Sequence, residues 1–286
     1  MPVSEFQNQL IKIAEQNNIH HPLSEKVKRA FMEVPRHKFV PVFRIDGDWI
    51  NITENNLEEY LPYLYGDFPL GIYASEGQIV STISQPSFVL RMIDMLKLEE
   101  GDNVFELGTG SGWNAALMSR IVGPKGKIVS LEIIPELIER AKISFESCGI
   151  TNVEVHAGDA VDGWKPEAPY DKAVFSAGAF DLPKAFHEQV RVGGHLLFVL
   201  KHVQGDTLYL MEKRTDHFSS IYSMDCSFVP MTGKYKKGQP KMVHSIPYYK
   251  GLTLDIYPIK GNHYAPVEGD IVMPQGDSEF VWSSGW

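Results

Sequence analysis

Two observations predict an α/β fold with a doubly wound, mostly parallel sheet. From Pro86 to Lys201, apolar strand-like runs alternate with amphipathic helical runs. This is the pattern of successive βαβ units with helices on both faces of a buried sheet. The first of those strands, "NVFEL" (103–107), also runs into a glycine-rich turn, "GTGSG" (108–112), that opens a helix. Doubly wound sheets bind nucleotides at such a turn.

Residues 4–18 read as an amphipathic helix, with Phe6, Leu10, Ile13 and Ala14 at helical spacing and Ser4 as N-cap. A second helix runs from about Ser24 to Val34, with Val27, Ala30, Phe31 and Val34 on one face. "VPRHKFVP" (34–41) punctuates with two prolines. Residues 41–81 show weak periodicity and many turn residues, and read as irregular structure with short strands. "TISQP" (82–86) is a polar elbow in which Ser84 or Gln85 would cap a helix starting at Pro86.

That helix, "PSFVLRMIDMLKL", turns Phe88, Val89, Met92, Ile93 and Leu96 inward. After the strand 103–107 follow a helix ending at Gly123, a strand "KIVSLE" (127–132) and a helix with Pro135 near its start. Strands are then expected at "VEVHA" (153–157), "YDKAVFSA" (170–177) and "GGHLLFVLK" (193–201), with the helix "LPKAFHEQV" before the last. "DTLYLMEKR" and "SSIYSMDCSFVP" read as two consecutive strands that close the sheet by antiparallel pairing. After "MTGKYKKGQPK" (231–241) the composition shifts, and 242–286 reads as an extension with short strands.

The chain has 286 residues, of which 43% are hydrophobic and 22% charged, which suits one large domain or one domain with an extension. A net charge of −9 lacks the basic footprint of a nucleic-acid binder. Cys148 and Cys226 have no metal-ligand spacing and read as reduced thiols, and the histidines share no ligand spacing. The N-terminus has neither a basic stretch nor an apolar run of the secretory kind, and no segment reads as a membrane span. A cytoplasmic protein is the expectation.

The glycine loop carries the cofactor argument. A dinucleotide fingerprint starting at Gly108 would need a third glycine at 113, where Trp113 stands. The pattern is instead Gly108, Gly110, Gly112, preceded by the acidic Glu106. An anionic side chain there repels a pyrophosphate and suits a cationic ligand such as S-adenosylmethionine. Glu132 ends the next strand, with Ile133 after it, where a carboxylate can accept from both ribose hydroxyls. Asp159 follows the third strand and would accept from the adenine amino group while the Ala160 amide donates to the ring. Taken singly, each acidic residue reads equally as a strand end or a cap. Their joint placement at carboxyl ends of successive strands favours the cofactor.

The sequence resembles the protein-L-isoaspartate (D-aspartate) O-methyltransferase family. The resemblance is carried, in order, by "VPRHKFVP" (34–41), "YGDFPL" (65–70), "TISQP" (82–86), "FELGTGSGWNAA", "GDAVDGW" with "APYDKAVFSAGA", "LPKAFHEQVRVGGHLLFVL" and "FVPMTG" (228–233). It covers roughly residues 25–235. It implies a Rossmann-like class I methyltransferase fold and S-adenosylmethionine as cofactor. The organisation expected is an N-terminal helical and substrate-cleft segment (1–85), a methyltransferase core (86–235) and a C-terminal extension (236–286).

The resemblance also implies a peptide or protein substrate bearing isoaspartyl residues, with Ser84 near the transferred methyl and Thr82 beside it. Methyl transfer to a carboxylate needs in-line positioning and exclusion of water more than acid–base chemistry. No metal and no covalent intermediate are expected. Three departures stand out. Ser176 replaces the family's threonine in "FSAGA", "FVLKH" replaces Pro-Val-Gly, and the extension is longer than the core needs. Lys201 therefore reads equally as a ligand for a substrate carboxylate or as a solvated strand end. The alternative function is a related carboxyl methyltransferase that serves one dedicated peptide or protein aspartate and recognises it through the extension. A nucleic-acid methyltransferase is disfavoured because "FSAGAFD" lacks the prolines and aromatic that would hold a flipped base.

Overall fold

The computed structural model describes residues 1–16, 22–202, 205–234, 252–259, 271–274 and 276–284. In chain order the elements begin with α1 (Val3–Gln16), α2 (Glu25–Glu33), β1 (Val42–Ile45), β2 (Asp48–Asn51), α3 (Leu57–Leu64), β3 (Leu70–Ser75), β4 (Gln78–Ile83) and α4 (Pro86–Met95). There follow β5 (Asn103–Leu107), α5 (Trp113–Val122), β6 (Lys127–Glu132), α6 (Pro135–Ser147), β7 (Val153–Ala157), β8 (Tyr170–Phe175), α7 (Lys184–Gln189) and β9 (Val190–His202). The last are β10 (Gly205–Lys213), β11 (Phe218–Cys226), β12 (Leu252–Pro258), β13 (Ile271–Pro274) and β14 (Ser278–Ser284). The chain forms two compact units. The first comprises residues 1–102 and 109–157, the second 103–108 and 158–286.

In the first unit, β6 and β7 pair in parallel, with Ile128 opposite Val153 and Glu132 opposite Ala157. The same unit holds a four-stranded antiparallel sheet in the order β2-β1-β3-β4. Over 41–81 the expected short strands are present, but the expected irregular structure is not, since the strands pair as two hairpins with α3 between them. Each hairpin has a two-residue loop, Asp46-Gly47 and Glu76-Gly77, with positive φ throughout. Positive φ at both positions is the twist-matched turn that splays strands least. The strands escape a periodicity reading because they are short and β2 is almost wholly exposed. α3 escapes it because Pro62 sits inside the helix, where proline is usually a breaker. The first helix begins at Val3, so Ser4 lies inside it and is not its cap.

The core of the first unit centres on Phe31, Val34, Phe39, Leu90, Leu96 and Trp113, each at most 1% exposed. Phe31 meets Trp113 edge-on, and Phe39 meets Phe145 at a tilt.

In the second unit, β5, β8 and β9 pair in parallel. β10 and β11 then add antiparallel strands, as the sequence predicts. The strands of the extension continue the same sheet: β12 pairs with β11, β14 with β12 and β13 with β14, all antiparallel. Leu196 to Leu200 in β9 are all buried, the unbroken apolar run of a strand covered on both faces. An aromatic cluster fills this unit. Phe105 packs on Tyr170 and Phe186, Phe175 on Phe186 and Phe198, and Phe198 on Phe280 of β14. The extension therefore contributes to the core it joins. Among the described residues, no helix is long and apolar enough to cross a membrane, and no His, Cys, Asp and Glu side chains cluster as a metal site.

Candidate active site

In the first unit the "TISQP" elbow joins β4 to α4. Pro86 occupies the first turn of α4, and Gln85 precedes it without a side-chain capping bond. The cap comes instead from a remote carboxylate. Asp67 accepts from the Ser87 amide (2.9 Å), the Ser87 hydroxyl (2.8 Å) and the Gln85 side-chain amide (2.9 Å). One anion thus satisfies an orphan donor at the helix start and opposes the positive end of the helix dipole. Ser84 is left out of the capping.

The Ser84 backbone is held by Arg36. This side chain is fully buried and donates to the carbonyls of Leu64 (2.5 Å), Ile83 (3.3 Å) and Ser84 (2.9 Å). Its guanidinium carbon lies 5.4 Å from the centre of the Trp113 ring. Burial pulls the guanidinium down to about 9, against the opposing pull of Tyr65 and Asp67, so it stays cationic at neutral pH. With the Ser84 carbonyl tied down, its hydroxyl and that of Thr82 are free of hydrogen-bond partners among the described residues.

The glycine loop runs covalently from β5 into α5. Gly108, Gly110 and Gly112 all have positive φ, the left-handed region that other residues enter at a cost. At Gly112 a side chain would also collide with α6, its Cβ lying 2.8 Å from the Phe145 ring. At Gly110 a Cβ would stand 3.6 Å from the Ser81 hydroxyl. The Gly110 amide donates to the Glu132 carboxylate at 2.8 Å, and the Ile133 and Ile134 amides donate to its other oxygen at 2.9 and 3.0 Å. Burial raises the Glu132 carboxyl above its usual range while these amides draw it down. A phosphate-binding loop offers its amides to the ligand. This one commits its central amide to a carboxylate, which favours a cationic ligand. Ile133, beside Glu132, is 42% exposed and offers an apolar surface. Trp113, at the missing third glycine, is buried and donates its indole N–H to the Val34 carbonyl at 3.4 Å.

In the second unit Glu106 is fully buried at the end of β5 and accepts from the Ser176 hydroxyl at 3.1 Å. Gly108 lies close by, its would-be Cβ 3.7 Å from that of Ser176. Asp159 caps the short turn 160–162 by accepting from the Val161 amide at 3.2 Å. Its other oxygen accepts from the Lys234 amide at 2.7 Å. Lys234 also pairs through its ammonium with Asp162. Ala160 is buried beside Asp159. Lys201 fits neither reading offered by the sequence, because its ammonium is paired with Asp206.

The structure thus brings Glu132 to Gly110, Ser176 to Glu106, and Lys234, the residue after the closing motif, to Asp159. Sequence reasoning missed Arg36, which clamps the elbow, and Asp67, which caps α4. Arg36 and Asp67 lie within "VPRHKFVP" and "YGDFPL", so the motifs were visible although the contacts were not.

A family model described as "Protein-L-isoaspartate(D-aspartate) O-methyltransferase (PCMT)" matches residues 5–236. The chain is 38% identical over 228 residues to protein-L-isoaspartate O-methyltransferase 2 of Archaeoglobus fulgidus, covering 78% of this chain and 93% of that one. It is 36% identical over 237 residues to the protein-L-isoaspartate O-methyltransferase of Pyrococcus abyssi, covering 82% and 98%. A solved protein-L-isoaspartate O-methyltransferase superposes with a TM-score of 0.68 at 24% identity, covering 98% of this chain and 88% of that one. A Plasmodium falciparum protein described as a protein-L-isoaspartate O-methyltransferase, in complex with S-adenosyl-L-homocysteine, gives 0.59 at 19% identity, covering 79% and 98%. At these identities the two structures speak to fold.

Proposed function

The chain belongs to the protein-L-isoaspartate(D-aspartate) O-methyltransferase family, and on that premise we propose that it methylates the carboxylate of L-isoaspartyl and D-aspartyl residues in damaged proteins and peptides. The ester then closes to a succinimide, which opens the route to repair. The cofactor of the family is S-adenosylmethionine, which supplies an electrophilic methyl group when bound.

The residues present fit that cofactor. Glu132 uses one oxygen for a single amide and keeps acceptor capacity for a ribose hydroxyl. Ile133 offers apolar surface to a base. Asp159 and Ala160 are assigned to adenine, and Glu106, Gly108, Gly110 and Gly112 to the amino-acid end. The amide of Gly110 spent on a carboxylate supports this assignment over a pyrophosphate.

The observation that carries the reaction is the elbow, whose backbone is clamped while its hydroxyls stay free. Arg36 fixes the carbonyls of Ile83 and Ser84, and Asp67 fixes Gln85 and Ser87. The Ser84 and Thr82 hydroxyls are assigned to the accepting carboxylate. Their hydrogen bonds orient one carboxylate oxygen without quenching its charge as a full countercharge would. That carboxylate is ionised at neutral pH without help, since such groups titrate near ~4. The protein's task is to orient it and to exclude water. Ser84→Ala is expected to lower kcat by about a hundredfold, the scale seen when one positioned donor is lost, with cofactor Kd unchanged. Wild-type turnover in that variant would remove Ser84 from the chemistry.

The deciding experiment is transfer of labelled methyl from S-adenosylmethionine to matched isoaspartyl and aspartyl peptides, read as base-labile methanol. Transfer to the isoaspartyl peptide alone is expected. Cofactor binding with no transfer to either peptide would overturn the repair reading in favour of a dedicated substrate.

A further inference from the structure

We propose that Lys201 and Asp206 are positioning residues for the cofactor, acting on Asp159 through the backbone of residues 228–234. This rests on the reading of Asp159 as a cofactor ligand. Lys201 and Asp206 face each other across the β9–β10 register. The ammonium donates to both carboxylate oxygens, at 2.8 and 2.7 Å, and to the Phe228 carbonyl at 2.9 Å. An ammonium has three protons, so these contacts use all of them and leave none for a substrate carboxylate. The Asp206 carboxylate also accepts from the Phe228 amide at 2.8 Å. Phe228 is thus gripped at its N–H by the anion and at its C=O by the cation.

The grip propagates along a short, taut segment. The Gly178 amide donates to the Val229 carbonyl at 2.9 Å, and the Met231 amide returns a bond to the Gly178 carbonyl at 2.8 Å. The Lys234 amide then reaches the Asp159 carboxylate at 2.7 Å. Gly178 makes the arrangement possible, because a Cβ there would lie 2.5 Å from Cγ and 2.7 Å from Cδ of Lys201. The lysine at 201 and the glycine at 178 are therefore one feature. A buried ion pair adds little net stability over an apolar replacement. Its consequence here is geometric. It fixes where the closing segment runs, and hence which way the Asp159 carboxylate points.

The test is calorimetric binding of S-adenosylhomocysteine together with saturation kinetics. Lys201→Met and Asp206→Asn are each expected to raise the Kd about five- to tenfold, a shift of about 1 kcal/mol. KM for S-adenosylmethionine should rise in parallel, while kcat at saturating cofactor and KM for the peptide stay within about twofold of wild type. Gly178→Ala, which displaces the lysine without removing it, should give the same phenotype. In a Lys201→Ala background it should add nothing. Asp159→Ala serves as the control. If that variant binds like wild type, the cofactor reading of Asp159 fails, and the proposal with it. If Asp159→Ala weakens binding and Lys201→Met and Asp206→Asn do not, the positioning proposal alone is overturned. A loss of thermal stability with unchanged Kd in both Lys201→Met and Asp206→Asn overturns it equally.

Discussion

Glu132 ends β6 in the first unit and Asp181 follows β8 in the second. Both carboxylates are buried, and both accept from backbone amides, with no cation in hydrogen-bond contact among the described residues. Burial raises both, Asp181 to about 7. They differ in where the amides come from. Those on Glu132 belong to the glycine loop and to the next two residues of its own chain. Asp181 takes the Asp277 amide at 2.6 Å, across 96 residues of sequence.

Around Asp181 the contacts form a latch. The Lys184 amide donates to Asp277 at 3.1 Å, and the Ser278 hydroxyl donates to the Leu182 carbonyl at 2.8 Å. With that proton used, the Ser278 oxygen accepts from His187 Nε2, 2.9 Å away. His187 is therefore the Nε2–H tautomer, and burial lowers it to about 3, which keeps it neutral. The comparison teaches that an amide-fed buried carboxylate does not declare its use. Glu132 shapes the glycine loop proposed to hold the cofactor, whereas Asp181 fastens the extension.

Three experiments sharpen or break that contrast. The largest effect is expected from deleting residues 252–284. Leu254, Ile256, Phe280, Val281 and Trp282 are all at most 3% exposed. At about 1.5–3 kcal/mol per buried side chain, their loss matches the entire stability of an ordinary domain, about 5–15 kcal/mol. The truncated chain should have no cooperative thermal transition. A sharp melt at the full-length temperature would return the extension to a dispensable role.

Next, Glu132→Gln should raise the Kd for S-adenosylhomocysteine about ten- to a hundredfold, the scale of losing a charged hydrogen bond, with little change in Tm. An unchanged Kd would make Glu132 structural, like Asp181.

The smallest effect is a change of slope. The folded Asp181 carboxyl sits near 7, above its ordinary value near ~3.9. The folded state therefore holds a proton that the unfolded chain has lost, and the stability this group contributes falls as pH rises from about 4 to about 7. Asp181→Asn removes that dependence. The Tm difference, variant minus wild type, should rise by a few degrees (about 2–4 °C) between pH 5 and pH 8, with cofactor affinity unchanged. A difference that falls over that range would mean that the amides outweigh burial.

Much of the fold was legible because its signals are local. "NVFEL", "KIVSLE" and "VEVHA" became β5, β6 and β7 with the bounds their residues predict, the first two as largely buried, mainly apolar runs and the third as a half-buried strand in which Val153 and Val155 alternate with polar residues. Gly112 announced a tight turn, and its φ of +83° bears that out. The hairpins over 42–83 were not legible. Their strands are short and partly exposed, and their Asp-Gly and Glu-Gly turns lie among many other turn residues. Of the two cap candidates, Gln85 takes the cap position and Ser84 does not, and neither side chain makes the capping bond, for a nonlocal reason. Asp67 already satisfies the start of α4 from 20 residues away.

The sequence by itself determined the alternation of strands and helices, the loop with its carboxylates, and the family, because each is written in neighbouring residues. Only the tertiary structure decided what the buried polar groups do. Arg36, Asp67, Lys201 and Asp181 each reach a partner remote in sequence or across strands. A buried charge must find its partners wherever the fold supplies them, and no spacing in the chain records where that will be.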